Sequence, residues 1–121
     1  MHNKNQYIKI HRNKADVQLE ILVLKNKDSV IAYCPALDLS TYGDEHENII
    51  KLFEENLIIF FEETCKNGTL ENELIRLQWK LLPEKYEPQK ESFKDIKYEV
   101  DKVVDREMIK ESFSVPSYCM A

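Results

Sequence analysis

Catalysis in a chain of 121 residues needs reactive side chains at convergent spacing, and the candidates here are carboxylates, three histidines and three cysteines. Asp38 is the carboxylate that stands out: it is flanked by Leu37 and Leu39 in a segment that reads as a strand, so it projects opposite to both. A divalent-metal nuclease or hydrolase would need further carboxylates on adjoining strands, and Asp38 is the only one the sequence places convincingly. Asp38 is therefore read as an outward polar residue or a partner contact. His2, His11 and His46 show neither HxH nor HExxH spacing, the patterns that bring two imidazoles to one metal ion. Cys34, Cys65 and Cys119 are odd in number, widely spaced and outside any CxxC pattern, which argues against a zinc site or a disulfide framework and for reduced thiols in a cytoplasm. Two glycines cannot build a Gly-rich phosphate loop, and Ser40, Ser92 and Ser112 lack the surroundings of a nucleophile elbow. The expectation is a binding protein and not an enzyme, with no catalytic group, cofactor or metal.

The elements that would position any such contacts follow from periodicity. Val17, Leu19, Ile21 and Val23 alternate with polar residues, the pattern of a strand with one buried face. The polar run Lys25–Ser29 then turns the chain into Val30-Ile31-Ala32-Tyr33, a hairpin partner that Pro35 ends. Leu37, Leu39 and Thr41 alternate again, predicting a third short strand. Gly43-Asp44 marks a turn, and Asp44 with Glu47 three residues on reads as an Asp version of the capping box that opens a helix. Ile50, Phe53, Leu57 and Phe60 or Phe61 recur every three or four residues, so one stripe can pack on the sheet while Glu54, Glu55, Glu62 and Glu63 face solvent. Asn67-Gly68 closes that helix near Lys66, and Thr69 opens a shorter one carrying Leu70, Leu74 and Leu77.

Gln78–Leu82 then predicts a fourth strand ahead of Pro83. Outside this core, Tyr7–Ile10 is read as an edge strand or, preferably, an N-terminal arm within 1–16. Residues 83–91, punctuated by Pro83 and Pro88, read as a linker that few core contacts cross. In the remainder Ile96, Tyr98 and Val100 alternate like a strand, Val103–Ile109 suits one or two helical turns, and the segment is a candidate arm onto a neighbouring subunit.

The totals set the frame. One domain is expected at this length, and 43% apolar with 32% charged residues is the mixture of a folded globular chain. A formal net charge of −5 suits a basic protein partner better than a phosphate backbone. Met1–Arg12 is too polar for a secretion signal, and the longest apolar run, Leu57–Phe61, is far short of a membrane span.

The stretch Ala32-Tyr33-Cys34-Pro35-Ala36-Leu37-Asp38-Leu39-Ser40-Thr41-Tyr42-Gly43-Asp44, followed by a long Glu-rich helix, resembles the HicB-like antitoxin family. The later Gly68-Thr69-Leu70-Glu71, leading to Trp79, is similar to an element of one HicB-like subgroup, so the resemblance spans residues 17–82. Two departures stand out: many members have Pro-Gly where this chain has Leu37-Asp38, and often Thr where it has Glu45.

The resemblance implies a partial RNase H-like fold without a working nuclease site. It also implies binding to and inhibition of a small basic mRNA-cleaving toxin of the HicA type, and homo-oligomerisation. Many members also carry a C-terminal DNA-binding domain, but residues 83–121 are short and acidic for one, so operator binding is not expected.

The expected architecture is thus α+β: an antiparallel three- to four-stranded sheet with one main amphipathic helix packed on it, in the order β-β-β-α-(α)-β. Tyr33, Asp38 and Tyr42, with Glu55 and Glu62 on the acidic helix face, are the expected partner contacts. An orphan structural or regulatory protein acting through self-association is the alternative.

Overall fold

The alternation at Val17–Val23 becomes the buried face of a twelve-residue strand, β2 (Lys14–Lys25), in the computed structural model, which describes residues 6–44, 48–89 and 105–116. β2 is the spine of a seven-stranded sheet whose pairings are all antiparallel. On one edge it carries β7 (Asp105–Pro116) along its whole length, from Lys14 opposite Pro116 to Lys25 opposite Asp105. On the other edge β1 (Tyr7–Ile10) covers its first half and β3 (Ser29–Cys34) its second. Between them, at Glu20, β1 has ended and β3 has not begun; there the buried Gln6 side chain reaches in, and the Glu20 amide donates to its Oε1 at 2.9 Å. A β2 amide facing neither neighbour is thereby satisfied.

The sheet continues from β3 to β4 (Leu39–Asp44) and from β1 to β6 (Tyr86–Pro88) and β5 (Trp79–Leu81). Helix α1 (Ile49–Lys66) lies on one face, sending Ile49, Phe53, Leu57 and Phe61 into a core with Ala15, Val17, Leu19 and Ile21. Phe53 meets Phe113 of β7 with ring centroids 5.9 Å apart. Burying each such side chain contributes roughly 1.5–3 kcal/mol, so the helix stripe is the main reason the sheet stays covered. Helix α2 (Leu70–Arg76) adds Leu70 and Leu74 to the same core. Gln78, at φ 70, then turns the chain into β5.

Several sequence expectations are corrected. Tyr7–Ile10 is not an arm but a strand between β2 and β6, with Ile8 fully buried. Residues 86–88 are not linker: β6 joins β1 to β5, and the Gln89 amide extends the β5–β6 pairing by donating to the Gln78 carbonyl at 3.1 Å. Residues 105–109 are strand rather than helical turns, and the segment expected to reach a neighbouring subunit pairs within its own chain. Helix α1 does not begin at Asp44, which ends β4; its N-cap is Asn48, whose Oδ1 accepts from the Lys51 amide at 3.2 Å. Glu47 and His46 lie outside the described residues, as do Ile96, Tyr98 and Val100. The closing turn stands as expected, with Asn67 as C-cap and Gly68 at φ 68, the left-handed geometry that glycine adopts without strain. Among the described residues no helix is long and apolar enough to cross a membrane.

Candidate functional site

The most structured group of the expected contact residues is built on the turn between β3 and β4. The Leu37 amide donates to Cys34 O and the Asp38 amide to Pro35 O, both at 3.3 Å, closing a tight reversal over residues 34–38. This overturns the placement of Asp38 within a strand: it sits in the turn at φ 50, a backbone region costly for most side chains but tolerated by Asp and Asn. Leu37 fills the core from the same turn. Asp38 is exposed, and its Oδ1 accepts from the Tyr33 hydroxyl at 3.0 Å, while the Tyr33 ring is buried. The register sets Tyr33 opposite Leu22 and Ser40, and Tyr42 opposite Ile31. Both tyrosines therefore lie on the sheet face away from α1, where Tyr42 is 63% exposed.

One residue not singled out as a contact holds this turn, and a second carries charge near it. Trp79 of β5 is buried and donates its indole N–H to Ala36 O at 2.7 Å. Arg76 of α2 pairs with Glu73 and is close enough to Asp38 to feel its charge: the hydrogen bond and charge of Glu73, and then the Asp38 carboxylate, raise the guanidinium above its usual range. Glu73 is correspondingly lowered by Arg76. Nothing in local spacing ties Trp79 to a turn 43 positions earlier.

Glu55 and Glu62 lie elsewhere. They are exposed on α1 and flank Ile59, itself 49% exposed, at the i, i+4, i+7 spacing of one helix face. Asn56 and the buried Thr41 hydrogen-bond each other between α1 and β4, fixing β4 under the helix. The five expected contacts therefore fall into two groups on opposite sides of the sheet, Tyr33, Asp38 and Tyr42 on one and Glu55 and Glu62 on the other.

Among the described residues there is no group of three or more His, Cys, Asp or Glu side chains able to hold a metal ion. His11 is exposed and pairs with Asp16 at 2.9 Å, and His2 lies outside the described residues. Cys34 is fully buried, and that burial pushes its thiol up to about 12, so it stays protonated at neutral pH, unsuited to nucleophilic attack. Cys65 is disulfide-bonded, which corrects the reading of three reduced thiols.

A cavity of about 550 Å³, unforeseen from residue spacing, lies between the end of α1, the start of α2 and β6. Its polar feature is a 3.2 Å hydrogen bond from the Tyr86 hydroxyl to Glu71 Oε2, two residues fifteen positions apart that the α2–β5–β6 path brings together. No family model matches the chain, and no curated protein or solved structure matches it either.

Proposed function

We propose that the chain is a HicB-like antitoxin module, with the partial RNase H-like fold of that family, which binds and inhibits a small basic mRNA-cleaving toxin. The observation that carries this reading is the left-handed backbone of Asp38. In the resemblance this position is one where many family members have glycine, and glycine is the residue that φ 50 favours. A left-handed backbone at the position of that glycine supports the reading. The element order from β2 to β5, three antiparallel strands, a main helix, a short helix and a strand, also supports the reading.

The net charge of −5 and the exposed Glu55 and Glu62 suit a basic partner, whose encounter complementary charge would accelerate while buried anchors supply the affinity. Tagged chain is to be recovered from its native cytoplasm at moderate salt, the co-purifying proteins identified by mass spectrometry, and their RNA cleavage assayed. Recovery of a small basic ribonuclease whose cleavage stops when the chain is added is the expected result. Recovery of the chain alone, as an oligomer, replaces this reading with an orphan module that works through self-association.

A further inference from the structure

The cavity beside α2 has the lining of a cation site. Its volume of about 550 Å³ falls within the roughly 300–1,000 Å³ of small-ligand sites. Ile10, Leu70 and Pro83 supply apolar lining, and among the described residues Glu71 is the one formally charged lining residue. Thr64 and Cys65 from the last turn of α1 and Asn72 from α2 also line it. The Tyr86 hydroxyl engages one Glu71 oxygen, Oε2, which orients the carboxylate and leaves Oε1 to accept from a ligand. Lys66, the basic residue in the last turn of α1, is not among the residues that line the cavity.

We propose that this cavity binds an alkyl cation, an ammonium or guanidinium head on a short methylene stem, with the head on Glu71 and the stem along Leu70 and Ile10. A salt-bridged head and an apolar stem are what Lys and Arg side chains and free alkylamines share. Two sources fit that chemistry: a basic side chain presented by a protein and a free amine. The site does not depend on the toxin reading.

The test is an NMR titration of the isotope-labelled full chain with n-butylammonium and n-butylguanidinium, using n-butanol and butyrate as neutral and anionic controls. The expected result is saturable shifts at Glu71, Asn72 and Tyr86 for the two cations alone, weakened about tenfold or more by Glu71→Gln, as for loss of a charge-assisted hydrogen bond, and unchanged by Glu107→Gln, at an exposed residue of β7 outside the cavity. An independent readout is the Tyr86 phenol, which burial and then the Glu71 charge push up; it is titrated with n-butylguanidinium, whose head stays charged where an alkylammonium loses its proton, and the bound cation neutralises the Glu71 charge and lowers the titration of the phenol.

Equal binding by Glu71→Gln, equal binding of butanol, or an unmoved Tyr86 titration at saturation overturns the proposal, as does an absence of saturable shifts at the highest attainable concentration. A capped lysine tripeptide and 1,4-diaminobutane then separate the sources. Tighter binding of the peptide assigns a protein side chain, tighter binding of the diamine a free amine, and either result supports the cation site.

Discussion

The indole nitrogen of Trp79 donates to the backbone oxygen of Ala36 at 2.7 Å, joining the far end of the sheet to the turn between β3 and β4. β5 and β4 stand at opposite ends of the strand order, so this bond ties the two branches of the sheet that grow from one edge of β2. Trp79 is 2% exposed, and a carbonyl left without its donor in such surroundings loses its hydrogen bond with no water to replace it. Trp79→Phe is therefore expected to cost about 2–4 kcal/mol, combining the lost bond with the smaller ring. Urea unfolding followed by circular dichroism measures this, and a loss below about 0.5 kcal/mol, the scale of an ordinary surface substitution, would show that the indole does not hold the turn.

Asp38 combines a left-handed backbone with the hydrogen bond from Tyr33, and substitutions separate the two. Asp38→Asn keeps both features and should change stability by less than about 0.5 kcal/mol. Asp38→Gly relieves the backbone but drops the bond, whereas Asp38→Ala keeps the strain and also drops the bond, so the expected stability order is Asn, Gly, Ala. A double-mutant cycle between Asp38→Ala and Tyr33→Phe should give a coupling of about 0.5–1.5 kcal/mol. An additive cycle would mean that the phenol–carboxylate bond contributes nothing.

Cys34 makes stability depend on alkaline pH. Its folded-state thiol is pushed up to about 12, chiefly by burial, from an ordinary value of 9.0, against which the Leu37 and Ala36 amides pull only weakly. A raised folded value means that the unfolded chain loses its proton first, so the contribution is complete below pH 9 and is lost as pH rises towards 12. Each pH unit inside that window removes about 1.4 kcal/mol. Because other groups titrate there too, the informative quantity is the difference between the native chain and Cys34→Ala, which should shrink steadily from pH 9 upward. A difference independent of pH would rule the thiol out as its source.

Gly68 lines the cavity and closes α1 at φ 68, with open space around the position a Cβ would take. Gly68→Ala therefore tests backbone strain without a clash. It should destabilise the chain by about 1 kcal/mol, and Gly68→Asn by less, since Asn tolerates this conformation better. Thermal unfolding of the two variants ranks them, and an Ala variant as stable as the native chain would show that the helix end relaxes freely.

The parts of the fold that were legible in the sequence are those whose periodicity is local. β2, β3, α1, α2 and β5 all show apolar residues at the spacing of their own element, and the Asn67-Gly68 stop is a short-range signal. β1 and β6 have only four and three residues, and their strand character comes from lying beside β2 and β5, so tertiary pairing decides them. β7 places Arg106, Lys110, Ser112 and Ser114 on its solvent side and buries only Phe113 and Val115, which leaves too little alternation to separate strand from helix. Asp38 was misplaced because Leu37 and Leu39 are two residues apart, and a turn that sends Leu37 inward looks in sequence like continued alternation. Of the candidate site, residue types were readable and their grouping was not: Glu55 and Glu62 share a helix face, but their separation from Tyr33 and Tyr42 by the sheet depends on which face α1 covers.

That separation makes the surface used by the proposed basic partner testable. Glu55→Lys with Glu62→Lys reverses charge on the exposed side of α1, and Tyr42→Ala removes the most exposed large side chain of the opposite face. The charge reversal does not touch the core and should leave stability within about 0.5 kcal/mol of the native value, whereas Tyr42→Ala also removes the cross-strand neighbour of Ile31 and should cost about 0.5–1 kcal/mol. If the captured toxin docks on α1, the charge reversal lowers its association rate about tenfold or more at low salt, and the effect fades as salt screens the charges. In that arrangement Tyr42→Ala leaves binding unchanged. If the toxin docks on the opposite face, Tyr42→Ala raises the dissociation rate, because a central aromatic anchor contributes contact rather than steering. Surface plasmon resonance with the recovered partner at two salt concentrations distinguishes these outcomes, and indifference to both sets of changes would place the interface outside all five candidate residues.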